Sequence, residues 1–221
     1  MCVMIHYDLQ AQPQSPKAIR DLLEKLRRKA LELPFRAVGE LIEFVGEAAD
    51  YENYEKTDPL YWFLLQAVET IRPDGHAFDV KPEHVIAFTT IPGDGCQDAY
   101  FGLASHLEIV GRSPKTFHTG LQSWSWSGYC STVGASKPEC GDIENFLRCH
   151  LAIVNLLDYA SELCIVKEVL DDGDFFHDRN EHELVMLVME WNCLVTGKPD
   201  EVVEAEVAKL ITFLNSLDFE E

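Results

Sequence analysis

His84-Val85-Ile86-Ala87-Phe88-Thr89-Thr90-Ile91 runs into Pro92-Gly93-Asp94-Gly95, and Tyr100-Phe101 follow a few residues later. The first eight residues are mostly β-branched or aromatic, the composition of a strand half-buried on a pleated surface. Pro-Gly-Asp-Gly is a turn because proline presets φ and glycine accepts positive φ without steric cost. Strand composition resumes over Tyr100–Val110. Residues 84–110 therefore read as a β-hairpin.

Outward from this hairpin the chain reads almost symmetrically. Towards the N-terminus, Cys2–Leu9 alternates Val3, Ile5 and Tyr7 against Met4, His6 and Asp8, which is a strand. Ser15-Pro16 supplies an N-cap followed by the residue best tolerated at the first helical position. Ile19, Leu22, Leu23, Leu26, Ala30 and Leu33 then share one helix face, opposite the basic Lys17, Arg20, Lys25, Arg27, Arg28 and Lys29. Val38–Val45 reads as a second strand, and Asp58-Pro59 opens a second helix over Leu60–Ile71.

Towards the C-terminus, Trp124–Ala135 reads as one or two strands, Asp142–Leu163 as a strongly apolar helix and Ile165–Leu170 as strand. Helices over Glu181–Val195 and Asp200–Leu217 complete the chain. Ser15 and Asp142 each start a helix after a strand, and the following strands, centred near Ile42 and Val169, keep the same offset. The expected class is α+β: a mixed, largely antiparallel sheet with helices packed on it. Residues 1–57 and 128–180 would be two strand-helix-strand halves around the hairpin, with a helical part over 181–217. No low-complexity linker divides the chain, so one domain is expected over 1–221.

Composition narrows the function classes. The 221 residues are 47% hydrophobic and 25% charged, which excludes disordered and fibrous classes. A chain of this length buries about 70% of its unfolded surface and needs no staple. With 18 Lys and Arg against 38 Asp and Glu, the net charge is −20, which repels phosphate backbones and anionic membranes. Seven cysteines form an odd set, so they cannot all pair. Met1–Leu9 lacks the pattern of a signal peptide, and the longest apolar run, Leu151–Leu157, falls short of the ~20 residues of a membrane span. The expectation is a reduced, cytoplasmic protein.

Three constellations carry the candidate chemistry. Cys96 stands between Asp94 and Asp98 at the hairpin turn, where two carboxylates disfavour a thiolate. Trp124-Ser125-Trp126-Ser127-Gly128-Tyr129-Cys130 places both tryptophans on one strand face, as a pocket floor or as core. His118 precedes them on a loop, and Cys130, free of adjacent acids, is the better nucleophile of the two thiols. Gly141–His150 starts the apolar helix, with Asn145 and Arg148 three residues apart and able to reach a ligand. Glu144 with Arg148 is the alternative surface pair. Cys149 and His150 fall on apolar faces, as a small core residue and a hydrogen-bonded buried histidine. The Gly93–Cys96 turn, the Trp126–Cys130 strand and this helix start are expected to converge on one cleft, with Trp126 as its apolar floor and Asn145 and Arg148 as polar contacts.

No paired-cysteine knuckle accompanies Cys130, Cys140 and Cys149-His150, so no metal is expected. The acidic turn Asp171–Asp178 lacks the ligand spacing of a calcium loop. No phosphate loop, dinucleotide fingerprint, nucleophile elbow or HExxH helix is present, and no cofactor is expected. The segments Trp126–Cys130 and Asn145–His150, with the 93–101 loop, resemble segments of an uncharacterised group of bacterial proteins. That resemblance spans most of the chain and implies no activity, cofactor or fold.

Three functions are compatible with these residues. The first is a non-catalytic module that binds a small molecule or a protein through an aromatic patch at Trp124 and Trp126, with Asn145 and Arg148 as polar contacts. The alternative is a thiol-dependent enzyme with Cys130 or Cys96 as nucleophile and His118 or His150 beside it. The third is an acidic mimic of nucleic acid that inhibits a DNA-binding protein.

Overall fold

The computed structural model describes residues 3–112 and 115–196. β1 (Met4–Ala11) alternates as expected, with Ile5, Tyr7, Leu9 and Ala11 buried. α1 (Pro16–Glu32) starts where Ser15 accepts a hydrogen bond from the Ala18 amide at 3.3 Å, and it buries Ile19, Leu23, Leu26 and Ala30. β2 (Ala37–Val38) and β3 (Ile42–Val45) follow. α2 (Pro59–Leu65) is capped by Asp58, which accepts from the Leu60 amide at 2.9 Å. β4 (Glu69–Ile71) pairs with β5 (Phe78–Val80). The central hairpin is β6 (Pro82–Ile91) and β7 (Ala99–His106). A separate ribbon joins β8 (Ile109–Arg112) to β9 (Lys115–His118). Then come β10 (Trp124–Ser131), α3 (Asp142–Glu162), β11 (Val166–Asp171), α4 (Phe175–Asp178) and α5 (Glu181–Thr196).

The main sheet has the order β11-β1-β10-β7-β6-β2, with β3 also paired to β6, and its neighbours run antiparallel. Two helical crossovers build it: β1-α1-β2 and β10-α3-β11 each link strands of one direction. The two crossover helices touch each other, and α1 also packs on β6. The chain is an α+β protein with a largely antiparallel sheet and packed helices.

Four expectations change in detail. The second strand is broken between β2 and β3, where Arg27 donates to the Gly39 carbonyl at 2.7 Å. The second helix stops at Leu65; Glu69–Ile71 become β4 because their partner strand, β5, lies only a turn away. The fourth strand ends at His106, and 109–112 leave the sheet for the ribbon. β10 ends at Ser131, and Val133–Ser136 form a turn of 3-10 helix. The expected helix over Asp200–Leu217 lies outside the described residues, and α5 covers the beginning of the 181–217 part.

β10 meets β7 in register at one pair, Ser125 with Ala104. Side chains close the gap beyond it. The Tyr100 carbonyl accepts hydrogen bonds from the Tyr7 hydroxyl at 2.8 Å and from Trp126 Nε1 at 2.9 Å. Tyr7 lies across Gly128, where a Cβ would come within 2.3 Å of its ring, and stacks on Phe101 at 4.8 Å. Gly128 is there because no side chain fits. Among the described residues no helix is long and apolar enough to cross a membrane.

Candidate functional site

β10 sends alternate residues to opposite faces: Cys130 is buried towards the core, whereas Tyr129 is exposed. Each face carries a constellation.

On the buried face, the Gly93 turn, Cys130 and the start of α3 do meet. Arg148 is the brace. Its Nη1 donates to the Pro34 and Pro92 carbonyls at 2.5 and 3.1 Å, and its Nη2 to Asn145 Oδ1 at 2.7 Å. Asn145 Nδ2 donates to the Asp94 and Ala135 carbonyls at 3.0 and 3.3 Å. A Cβ on Gly93 would sit 2.3 Å from Arg148 Nη2 and 2.6 Å from Cys149 Sγ, so only glycine lets the turn lie this close. Asn145 and Arg148 thus spend their donors on this chain's own loops. Arg148 turns inward to these carbonyls rather than pairing with Glu144. Arg36 meets Asp94 across the outside of the same turn.

The thiols here differ sharply. Cys130 donates to the Gln97 carbonyl at 3.1 Å; burial pushes its thiol up, and Cys149 and Asp98 add to the effect. Cys96 is pushed up by its hydrogen bond to Cys149 and then by burial. Cys149 moves the other way. The hydrogen bond from Cys96 stabilises its thiolate against the cost of burial, and the Arg148 guanidinium, 3.3 Å away, adds to that. The sequence marked Cys149 as core, and buried it is. The overlooked signal was the adjacent arginine on the first turns of a helix.

The other nominated residues are distributed elsewhere. Trp124 and Trp126 are 5% and 1% exposed, so both indoles belong to the core. Trp124 Nε1 donates to the Gln14 carbonyl at 3.2 Å, and Trp126 packs edge-on against Phe63. His118 stands exposed on the β8–β9 ribbon, opposite Ile109. His150 is buried on α3 and donates through Nε2 to Asp171 at 3.1 Å, since an ionised carboxylate can only accept. Its Nδ1 faces the Thr132 hydroxyl at 3.1 Å. Burial alone would push the Asp171 carboxyl up, but His150 and the Gly173 and Phe176 amides hold it below the usual carboxylate range. The order hydroxyl, imidazole, carboxylate has the form of a proton relay. All three groups are buried, and they tie the end of β10 to α3 and to the turn after β11.

The exposed face carries a different arrangement, which the sequence did not single out. A cleft of about 490 Å³ opens between α2 and the strand ends, lined by Thr57, Pro59, Trp62 and Gln66 from one side. Gln97, Asp98, Tyr100 and Tyr129 line the other. Trp62 is 50% exposed, yet its ring is fixed: Nε1 donates to the Lys56 carbonyl at 3.0 Å, and Tyr61 packs edge-on at 5.1 Å. Tyr129 is 37% exposed and neighbours His6. Burial raises the Asp98 carboxyl. The Tyr100 hydroxyl is raised by burial, then by Asp98 and Tyr129. Gln66 Oε1 is buried with no hydrogen-bond partner. The signal that could have found this cleft is Tyr61-Trp62-Phe63: three consecutive aromatics cannot all face inward from one helix.

Among the described residues no group of three or more His, Cys, Asp or Glu side chains is placed to hold a metal ion. No protein-family model, curated protein or solved structure matches this chain.

Proposed function

We propose that this chain is a non-catalytic binding module whose ligand is a small organic cation held in the Trp62–Tyr100–Tyr129 cleft. The observation that carries the reading is the coincidence, in one cleft, of exposed aromatic faces with an exposed carboxylate. Aromatic faces attract a cation through the ring quadrupole, more strongly when it is desolvated. The Asp98 carboxylate stands exposed beside the aromatic faces, where a bound ammonium or guanidinium group would pair with it. The net charge of −20 draws cations towards the surface in general. A cytoplasmic setting fits the free thiols of Cys96, Cys130, Cys140, Cys149 and Cys164.

The test is a thermal-shift and tryptophan-fluorescence screen of primary, guanidino and quaternary amines, with sugars and neutral aromatics as comparison sets. Amines should quench Trp62, and Asp98→Asn should weaken the best binder about tenfold, the worth of one modest charge contact. Binding of neutral compounds with no preference for amines, or no change in Asp98→Asn, overturns the reading. The thiol-dependent enzyme has one observation in its favour, the Cys149 sulfur beside Arg148. Against it, the nucleophiles nominated from sequence, Cys96 and Cys130, both have thiols pushed up.

A further inference from the structure

We propose that the cation of the Trp62 cleft arrives on a protein partner, as the lysine or arginine of an extended basic segment lying across the open face of the sheet. This partner rests on the cleft binding cations as proposed above, and it gives that cation a source.

The face belongs to β11, β1 and β10, on the side away from the core. Strand register fixes its rows. Leu170 is opposite His6 and His6 is opposite Tyr129, so these three residues cross the sheet in one line. Glu168, Asp8 and Ser127 form the row on one side. On the other side Asp172 meets Met4, which is opposite Ser131. An antiparallel sheet with one face in water ordinarily carries polar residues there. Here the middle row is apolar and aromatic. Leu170 is 60% exposed, and His6 and Tyr129 are open as well, so no described element covers the row. Its Tyr129 end is also a wall of the cleft, which makes row and cleft one continuous surface.

Charge identifies the occupant. Glu168 and Asp172 are exposed on either side of the row, and Asp98 is exposed at the cleft. Asp8 is offset by Lys167, whose Nζ lies 3.9 Å away. An acidic segment or a phosphate-rich surface would be repelled here, whereas a basic segment with one apolar residue matches both charge and row.

Spacing sets the motif. Neighbouring strands lie about 4.8 Å apart, which puts Leu170 about 10 Å from Tyr129 and roughly 13–15 Å from the cleft beyond it. An extended chain advances about 3.3 Å per residue and points every second side chain the same way. A residue four positions from the cation therefore falls over Leu170, on the side facing the sheet. The expected motif is a cationic and an apolar residue four positions apart.

The experiment titrates the full chain by calorimetry with butylamine and with acetylated, amidated five-residue peptides. One peptide has lysine first and leucine fifth, another has the reverse order, and the remaining positions are serine. In one of the two orders, the leucine peptide should bind about tenfold tighter than its counterpart with serine in place of leucine. Moving the leucine next to the lysine should remove that gain. Leu170→Ser should remove it too and leave butylamine binding unchanged, because Leu170 lies outside the cleft. A second lysine at the middle position should add about threefold at low salt, a gain lost at high salt. Equal affinity of leucine and serine peptides in both orders, with butylamine still bound, overturns the proposal and leaves the cation-binding cleft standing. Failure of butylamine and every peptide to bind takes down both. A dimer in solution that Leu170→Ser dissociates gives the row to a second copy of the chain and overturns the proposal as well.

Discussion

Cys130 and Tyr129 are consecutive residues of one strand, yet they end in opposite kinds of surroundings. On the Cys130 side, polar groups are dense and answered. Arg148 meets two carbonyls and an amide oxygen, and His150 lies between a hydroxyl and a carboxylate. On the Tyr129 side, polar groups are fewer and freer: Gln66 Oε1 has no partner and Asp98 is open to solvent, while Gln97 Oε1 accepts from the Ser131 amide. Residue chemistry by itself would rank the first region as the functional one. Satisfaction of hydrogen bonds ranks them the other way, because a group already paired has little left to offer a ligand.

The sharpest way to break this comparison is to remove one answered group. Asp171→Ala leaves His150 and two backbone amides facing an apolar hole, and should cost about 3–5 kcal/mol in urea unfolding. A loss near that of a surface substitution would mean that the relay is not a tie. Gly128→Ala comes next. Its Cβ would meet the Tyr7 ring at 2.3 Å, and the ring cannot retreat because Phe101 stacks behind it. Overpacking of that kind costs about 1–3 kcal/mol, read from the same unfolding curves.

Acid should also weaken the answered side. The folded Asp171 carboxyl titrates below its unfolded value, so its contribution is complete above about pH 5 and disappears as pH falls through the folded value. His106, on β7, adds to this at higher pH. Burial lowers its imidazole against the pull of its hydrogen bond to the Ala67 carbonyl. Below the unfolded value of about 6.5 the unfolded chain takes up that proton first, and the native state loses ground. Urea midpoints measured from pH 7 to pH 3 should therefore fall in two stages. His106→Gln should erase the earlier one. The smallest effect belongs to the open side: Trp62→Ala should change stability by only about 0.5 kcal/mol while abolishing the response to amines. A large stability loss there would show that Trp62 is a packing residue after all.

Where sequence reading succeeded, the signal was local. Ser15-Pro16 capped α1, and Pro92–Gly95 turned the hairpin, each within a few residues of chain. It failed at Glu69–Ile71 because an aromatic run upstream extended the helix pattern, whereas β5 offered those residues a ladder. The proximity of the Gly93 turn to α3 was readable from strand ends and helix starts, whereas the expected Trp126 floor went into the core. The partners of Arg148 were not, since the Pro34 and Pro92 carbonyls come from two separate loops.

Periodicity determined the α+β class, because spacings of two and of three to four residues are fixed by backbone geometry alone. Composition determined the charge of −20. Which tryptophan is open was decided only by the tertiary structure. Trp126 found the Tyr100 carbonyl and the edge of Phe63, while Trp62 was left on the outer side of α2, half in solvent. The same holds for the thiols: Cys149 differs from Cys130 through contacts with Cys96 and Arg148 that folding alone brings about. Burial and charge proximity depend on residues far apart in the chain, and no local pattern encodes them.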